Sequence, residues 1–487
     1  MSGHVFVVHG KIEQLTHDAA VIPVDGSLSF NRIWEPLLGQ PWPTAPSTWS
    51  KGWGRIDGAE QWLVQVADGD YSLVLERLSS AVDDVASQRL TPKGGRERPL
   101  VALPVLGIGR GGHRHEQGRV LKLLVDHLHG LAESTGLDFA IVTPEASVFA
   151  AAQYVRRTRA VSQGIDRVAT DIGNRARRDE LALFLGAGTS MPAGLPSWKE
   201  LVEQLAAEVP GADSEAFRAL GATDQAELIQ ATAGKTFQQQ VADIVRTAPR
   251  PALLHGLLAG LGVRNAVTTN YDRFYERAVE ASERSMESVL PWASAVGSER
   301  WALKLHGDVE RPDSIVLTRR HMVTYDAQNR PSAALLQSVL LTKHLLVVGT
   351  SLTDDNVLRL AHEVQAYRDH HRPDSHDRFG TQLDASEGGD RLRARLWDGQ
   401  LEWIYLGDLG TDSPRRALEL VLDRAGTYAT RDASWLLDRR FAGLLGEDAD
   451  RELADQAREL VRAARSRDSG TWGPLVEGLD QLGARHE

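Results

Sequence analysis

Four short segments of the sequence carry residues that could do chemistry together. Each belongs to or directly follows an apolar run that predicts a buried strand. The segments are GAGTS at 186–190, TTNYD at 268–272, KLHGD at 304–308 and VVGTSL at 347–352. Ligands of open α/β sheets bind outside the carboxyl ends of the strands. We therefore expect the four segments to converge on one crevice.

The residue types in these segments suit a dinucleotide. Gly186 and Gly188 would let backbone N–H groups approach a pyrophosphate, and the positive end of the following helix would add to that attraction. Asn270 can hold a ribose hydroxyl or a water, and Asp272 can accept from a carboxamide such as that of nicotinamide. His306 can orient a ribose hydroxyl or take a proton from an attacking water near neutral pH.

The remaining candidate binding residues come from the same segments and from the helix after the first of them. Gly349, Thr350 and Ser351 offer close backbone approach and hydroxyls for the adenosine ribose. The candidate dinucleotide-binding residues are Gly186, Ala187, Gly188, Thr189, Ser190, Trp198, Thr269, Gly349, Thr350 and Ser351. Taken singly, Asn270 could cap a turn and His306 could be a core histidine, but their joint occurrence favours a catalytic interpretation.

The order and strand context of the four segments resemble the sirtuin fold family over roughly residues 180–410, and more closely its bacterial branch found in anti-phage defence proteins. The resemblance implies that the nicotinamide–ribose bond of NAD is cleaved here, with Asn270, His306 and Asp272 as catalytic residues. It also implies that Trp198, in the stretch GLPSWK, covers the nicotinamide side of the cleft.

The choice between hydrolase and deacylase depends on whether water or an acylated lysine reacts with the ribose of NAD. Sirtuin protein deacylases usually carry a structural zinc held by four cysteines after the catalytic histidine, and this chain has no cysteine. The resemblance therefore implies an NAD hydrolase that uses water and releases nicotinamide and ADP-ribose. Two alternatives stay open: a non-catalytic regulatory protein that binds NAD or ADP-ribose, and a zinc-free deacylase.

The N-terminal segment shows a second resemblance. Residues 10–12 and 18–24 resemble the opening of a macro domain, which binds ADP-ribose, and residues 104–112 resemble its phosphate-binding loop. The candidate ADP-ribose loop consists of Gly107, Ile108, Gly109, Arg110 and Gly111. The family's acidic residue near adenine falls at Lys11, and Val24 and Asp25 stand where asparagines are expected. A nucleotide sensor or a degenerate scaffold is therefore favoured over a hydrolase, with a flexible glycine turn as the simpler interpretation of the loop.

These observations predict an α/β protein of four parts. They are a macro-like domain at 1–155, a connecting helix at 156–180, a sirtuin-like domain at 181–430 and a helical C-terminal extension at 431–487. The sirtuin-like domain is expected to have a Rossmann-type parallel sheet and a small helical lobe. In the extension, one face of a helix is expected to pack on the rest of the protein through Leu453, Ala457, Leu460, Val461 and Ala464.

Composition excludes several other classes. The net charge of −11 provides no overall basic surface for nucleic acid, and the lack of cysteine rules out disulfides and thiolate metal sites. We expect NAD as the substrate and no metal. The N-terminus lacks a signal peptide and no stretch is long and apolar enough to span a membrane, which predicts a cytoplasmic protein. The resemblance also implies that such an NAD-depleting enzyme is held silent by oligomerisation, accessory domains or a partner protein. We therefore expect a homo-oligomer and a defence-system partner, with the macro-like domain binding an ADP-ribose-like nucleotide.

Overall fold

The protein was analysed as a computed structural model, which describes residues 2–67, 69–109, 111–207, 209–286, 288–374, 377–389, 391–467 and 470–485. The chain divides into two compact units. Unit 1 comprises Met1–Val161, Ala281–Glu283 and Thr430–Glu487, and unit 2 comprises Ser162–Glu280 and Arg284–Ala429. Each unit contains its own β-sheet with helices, so the predicted α/β class is confirmed.

The first part of unit 1 builds a six-stranded sheet. Its strands are β1 (Val5–His9), β2 (Ala19–Val24), β3 (Trp53–Arg55), β4 (Gln61–Gln65), β5 (Leu100–Leu103) and β6 (Asp138–Thr143), in the order β1-β6-β5-β2-β4-β3. Its helices are α1 (Glu35–Leu38), α2 (Tyr71–Ser87), α3 (Gln117–Thr135) and α4 (Ala146–Arg156). Only β3 runs antiparallel to its neighbour within this sheet. Strands β5 and β6 are buried along their whole length, as expected for parallel strands covered on both faces.

Unit 2 builds a seven-stranded parallel sheet. In chain order its elements are α5 (Gln163–Arg177), β7 (Leu181–Leu185), α6 (Trp198–Ala206), α7 (Glu215–Arg218), α8 (Ala222–Ala233), α9 (Phe237–Val245), α10 (Leu253–Gly260), β8 (Asn265–Thr268), α11 (Phe274–Ala281), β9 (Ser288–Leu290), β10 (Trp301–Lys304), α12 (Arg319–Thr342), β11 (His344–Val348), α13 (Asp355–His371), β12 (Gly380–Asp384), α14 (Arg391–Leu396), β13 (Leu401–Tyr405) and α15 (Pro414–Ala429). The strand order is β13-β12-β11-β7-β8-β10-β9, and every neighbouring pair is parallel.

A small helical lobe lies between β7 and β8 in the chain. Helices α6, α8 and α9 share a compact apolar core that includes Val202, Ile229, Phe237 and Val241. The central strands of the sheet form a separate core with α12 and α13. The loops that follow the sheet strands are therefore connected to elements that two apolar cores hold in place.

The predicted connecting helix is an integral part of unit 2. Helix α5 buries Ile165, Val168 and Ile172, and its Asp166 accepts hydrogen bonds from Arg424 Nε at 2.7 Å and Tyr428 Oη at 2.8 Å on α15. The many charges of this segment favoured a solvated connector, but they occupy only the outer face of an amphipathic helix.

The C-terminal residues belong to unit 1. After residue 430 the chain forms α16 (Asp448–Arg465) and α17 (Gly473–Leu479). Trp435, Leu437, Phe441 and Leu444 enter the core that β1–β6 and α2–α4 build. The predicted separate extension is thus the final layer of the first unit.

The packing face of α16 differs from the prediction. Leu453 is 65% exposed and Leu460 is 49% exposed, whereas Ala454, Arg458, Val461 and Ala464 are buried. The buried face thus includes a residue that the prediction left out. Arg458 is buried, and its Nε donates to the Leu437 carbonyl at 2.8 Å. An arginine can cover apolar surface with its aliphatic stem, which hydrophobic periodicity does not register.

Candidate active site

A cavity of about 620 Å³ opens within unit 2 at the carboxyl ends of β7, β8, β10 and β11. The loops after these four strands and the starts of α6, α12 and α13 supply much of its wall. The predicted site residues that line it are Ala187, Ser190, Trp198, Thr269, Asn270, Asp272, His306, Gly349, Thr350 and Ser351. The four segments therefore converge as parallel strand ends should.

The glycines of the first loop serve a different purpose from the one predicted. A Cβ on Gly186 would lie 2.5 Å from Thr350 Cβ, and one on Gly188 would lie 2.8 Å from the Gly349 carbonyl oxygen. Gly186 N–H donates to Val348 at 3.0 Å, and Gly188 N–H donates to Gly349 at 2.8 Å. These amides are engaged inside the protein, and the expectation that this loop cradles a pyrophosphate stays a prediction. The glycines instead allow two neighbouring loops to touch.

The N-terminus of α6, which was expected to attract a pyrophosphate, is capped by side chains of its own first turn. Ser197 and Glu200 form a capping box, in which Ser197 N–H donates to the Glu200 carboxylate at 2.7 Å and Glu200 N–H donates to Ser197 Oγ at 3.3 Å. A carboxylate already satisfies the positive end of this helix. Trp198, the first residue of the helix, lines the cavity as expected, and Leu201 of the same helix lines it too.

The side-chain amide of Asn270 has a fixed orientation. Its Nδ2 lies 3.1 Å from the Gly186 carbonyl oxygen, 3.2 Å from Thr189 Oγ1 and 3.1 Å from Ser190 Oγ. A carbonyl can only accept, so the nitrogen must face this loop. Asn270 Oδ1 is buried and has no hydrogen-bond partner within the described ranges. This oxygen is therefore a ready acceptor for a hydroxyl or water at the cavity wall.

Thr189 supports Asn270 from behind the wall. It is fully buried, and its hydroxyl donates to the Gly186 carbonyl at 2.8 Å. The cavity wall is thus supported by three residues that are not part of its lining, namely Gly186, Gly188 and Thr189. Their predicted direct contact with a dinucleotide stays a prediction.

His255, on the buried helix α10, is a site residue that sequence reasoning missed. Its Nδ1 accepts from Ala252 N–H at 3.1 Å, so Nε2 carries the hydrogen and donates to Ser190 Oγ at 3.3 Å. Burial lowers the pKa of His255 to about 4, against the opposing charge of Asp272, so the ring is neutral near pH 7. Ser190 Oγ accepts from both His255 and Asn270, which leaves its own hydrogen to donate toward the cavity.

Asp272 and the loop around it are held by a buried lysine. Asp272 Oδ1 accepts from Phe274 N–H at 3.0 Å at the start of α11. Lys304 Nζ donates to the carbonyl oxygens of Tyr271, at 3.1 Å, and of Asp272. The same ammonium lies 3.3 Å from both Glu276 Oε1 and Asp308 Oδ2. The lysine of the KLHGD segment is therefore structural and sets the backbone of the TTNYD segment.

His306 pairs with a carboxylate that the sequence did not single out. Its Nε2 lies 3.0 Å from Asp354 Oδ2, and the two side chains are 6% and 18% exposed. Asp354 is the N-cap of α13 and also lines the cavity. An aspartate before a helix is an ordinary capping signal, so the second use of this carboxylate could not be distinguished from the sequence.

An arginine at the start of α12 adds a positive charge to the cavity wall. Arg319 Nη2 donates to Asp224 Oδ2 on α8 at 2.7 Å, and Arg320 N–H donates to Glu227 at 3.1 Å. Arg319 lines the cavity together with Thr223. These contacts join the helical lobe to α12 beside the cavity.

The candidate ADP-ribose loop of unit 1 lies beside three buried polar groups. Within the residues that the structure describes, Tyr71 Oη, His113 Nε2 and Gln117 Oε1 lack hydrogen-bond partners. A Cβ on Gly107 would lie 3.3 Å from His113 Cδ2, and one on Gly111 would lie 2.9 Å from Gly107 Cα, so the loop is tightly folded. Ile108 packs against the core of unit 1. Gly109 is described, whereas the predicted Arg110 lies outside the described residues.

In the part of the chain that the structure describes, no three His, Asp or Glu side chains group as a metal site. No described helix combines the length and apolar character needed to cross a membrane.

The site and its supporting sheet correspond to a known class of domain. Residues 264–399 match the model of the SIR2-like domain family. This part of the chain is therefore similar to SIR2-like domains, which confirms the predicted sirtuin-like resemblance over these residues.

Several curated relatives are similar to part of the chain. The NAD(+) hydrolase ThsA of Bacillus cereus (strain MSX-D12) is 31% identical over 193 residues, which are 38% of this chain and 40% of that protein. NAD(+) hydrolase ThsA of Acinetobacter baumannii (strain 532279) is 28% identical over 198 residues, 40% of each chain. NAD(+) hydrolase ThsA of Enterococcus faecium is 30% identical over 207 residues, 39% of this chain and 41% of that protein. The matches thus span about two fifths of each relative's length.

Proposed function

We propose that this protein is an NAD⁺ hydrolase that releases nicotinamide and ADP-ribose. The observation that carries the proposal is the meeting of Asn270 Oδ1, Asp272 and His306 on the wall of one cavity within a SIR2-like domain. The names of the partial relatives support the same activity. With no cysteine in the chain, the four-thiolate zinc site of protein deacylases cannot form.

The proposed reaction breaks the bond between the nicotinamide nitrogen and ribose C1′. The bonding electrons leave with nicotinamide, and water adds to the oxocarbenium-like carbon, so that one NAD⁺ and one water give nicotinamide, ADP-ribose and one proton. Asn270 Oδ1 accepts from the ribose hydroxyl or the water, and Asp272 accepts from the carboxamide. His306 takes the proton as the water attacks. Trp198 covers the nicotinamide side.

In this proposal the pyrophosphate is not bound by the backbone N–H groups of Gly186 and Gly188. Because the amides of Gly186 and Gly188 are engaged, this proposal assigns the pyrophosphate to two other donors of the cavity wall, the Ser190 hydroxyl and Arg319. The guanidinium nitrogen concerned is Arg319 Nη1, since Nε and Nη2 contact Asp224. The loop at 349–351 is assigned to the adenosine ribose. Guanidinium groups suit phosphate oxygens well.

The activity is tested by incubating the purified chain with NAD⁺ and separating the products by chromatography. We expect nicotinamide and ADP-ribose in equal amounts, with no requirement for an acylated peptide; cyclic ADP-ribose would be visible as a second product. Cells expressing the protein are expected to lose NAD after phage exposure. Release that depends on an acetyl-lysine peptide would identify a deacylase instead, and tight NAD binding without turnover in either setting would identify a regulatory protein.

For unit 1 we propose a regulatory role, as a macro-like domain that binds an ADP-ribose-like nucleotide. The glycine-rich loop at 107–112 and the partnerless polar atoms of Tyr71, His113 and Gln117 support this proposal. In the same proposal the enzyme acts on the cytoplasmic NAD pool as a homo-oligomer, and a defence-system partner keeps it silent until infection.

Binding to unit 1 is tested by calorimetry with ADP-ribose, using a variant without cleft activity as the background. We expect Gly111→Val to lower the affinity at least about tenfold, because the new side chain would meet Gly107 and Val66 and displace the loop. Gly130→Ala, on α3 with open space around its Cβ position, is the matched control. Equal affinity of the Gly111→Val protein and the control would contradict a site at this loop.

A further inference from the structure

The two carboxylate oxygens of Asp354 contact two different groups, the backbone at the start of α13 and the imidazole of His306. Oδ1 accepts from Val357 N–H at 2.9 Å and so caps α13, while Oδ2 lies 3.0 Å from His306 Nε2. The carboxylate is thus fixed by the helix backbone on one side and directed at the imidazole on the other. A buried imidazole with such a partner has a defined ring orientation.

The pair also fixes which nitrogen of His306 carries the hydrogen. Burial by itself would raise the pKa of Asp354, but the hydrogen bond and charge of His306, with the amides of Val357 and Asn356, lower it below its usual value. An ionised carboxylate can only accept, so His306 Nε2 must donate. The lone pair of the neutral ring is then on Nδ1, the nitrogen left to accept a proton.

We propose that Asp354 is a positioning residue for His306: it keeps the ring in the tautomer that is basic at Nδ1 and stabilises the imidazolium formed when water or a ribose hydroxyl gives up its proton. This inference rests on the proposed hydrolase function. No atom is exchanged with Asp354, since the proton moves from the attacking oxygen to His306 Nδ1 and later to solvent.

Other charged or titratable groups lie near the same ring or line the cavity. Among them are Tyr271 and Asp272 before α11, Arg319 at the start of α12, Tyr325 within α12, whose ring centroid lies 6.3 Å from that of His306, and Asp355 at the start of α13. Asp354 is the group that the structure joins directly to His306 by a hydrogen bond. The substitutions below leave all the others in place.

The decisive variant is Asp354→Asn. Asparagine retains an oxygen that can cap α13, but it offers an NH₂ group where His306 needs an acceptor. Nitrogen-15 NMR of the full chain without substrate reports the tautomer of His306, whose signal is identified by its loss in His306→Asn. We expect the wild-type ring to carry its hydrogen on Nε2 and the ring of the variant to change tautomer.

The kinetic readout separates positioning from binding. In Asp354→Asn we expect kcat for nicotinamide release to fall about 100-fold, the usual contribution of a general base, while KM for NAD stays within about threefold. Asp354→Ser preserves the cap of α13 but also lacks the carboxylate that accepts from His306, so it should show the same changes as Asp354→Asn. Asp70→Asn, the same substitution at the N-cap of α2 in unit 1, is the control and should change neither readout.

Two results would overturn the positioning role. One is an unchanged His306 tautomer in a folded Asp354→Asn protein; the other is a changed tautomer with wild-type kcat. Because NMR needs no turnover, failure of the hydrolase proposal is recognised separately, as a wild-type protein that binds NAD and never cleaves it while its His306 still responds to Asp354→Asn.

Discussion

Replacing Asn270 with alanine is expected to reduce nicotinamide release from NAD at least about 100-fold, the scale of removing a preorganised polar group from a reaction centre. Alanine removes the partnerless Oδ1 at the cavity wall, which the proposal uses to hold the ribose hydroxyl or the attacking water. It also removes the Nδ2 contacts to Gly186, Thr189 and Ser190, which set the direction of the Ser190 hydroxyl. Both losses act on the reacting end of the substrate.

The measurement is initial-rate nicotinamide release by the wild type and the variant under the condition that activates the wild type. Asn174→Ala, on helix α5, is the matched control and should retain wild-type turnover. Thermal unfolding should show that both variants are folded. Turnover of the Asn270→Ala protein at the wild-type rate would remove Asn270 from the mechanism.

A second large effect is expected on stability. Lys304→Met should lower the free energy of unfolding of unit 2 by about 3–5 kcal/mol, the range for removing one partner of a buried ion pair. The Lys304 side chain is fully buried, and its ammonium lies 3.3 Å from both Glu276 and Asp308. Methionine fills a similar volume but removes the cation that both carboxylates contact, and Asp308 then keeps only the more distant Arg273 Nε, 3.8 Å away, among its described ion pairs. The Tyr271 and Asp272 carbonyls lose their donor as well.

The effect should depend on pH in a defined direction. Burial raises the pKa of Glu276 in the folded protein, an effect that Lys304 opposes. Without the lysine, the folded state takes up a proton on Glu276 at higher pH than the unfolded chain, so the variant gains stability as the pH falls. Urea denaturation at pH 5.5 and pH 8 should therefore show a smaller deficit at the lower pH. A similar stability to wild type at pH 8, or no difference from the exposed control Lys199→Met, would contradict this account.

The sequence was sufficient to predict where the site lies. His306 follows β10 and Asn270 follows β8, and parallel strands bring their carboxyl ends to one edge. Ten of the predicted binding and catalytic residues therefore line one cavity although the segments are far apart in the chain. Local patterns thus determined both the α/β class and the neighbourhood of the site.

The residues that sequence reasoning missed are those whose role comes from distant partners. His255 lies in an apolar helix and looks like a core residue; only its contact with Ser190 connects it to the cavity. Asp354 reads as a helix cap, and its contact with His306 spans a strand and a long helix. Glycine spacing likewise could not show that the Gly186–Gly188 loop packs on Gly349 and not on a phosphate. Such contacts depend on three-dimensional packing, which one sequence does not specify residue by residue.

Unit 1 is built from segments of the chain that precede and follow unit 2, and this arrangement sets the order in which the two units can fold during synthesis. The core of unit 1 needs Trp435, Leu437 and Phe441, which the ribosome makes after all of unit 2. The SIR2-like unit can therefore complete its sheet and its cavity while the first unit still has apolar surface waiting for its last layer. A nascent chain of this protein would pass through a stage in which the proposed catalytic unit is complete and the proposed regulatory unit is not.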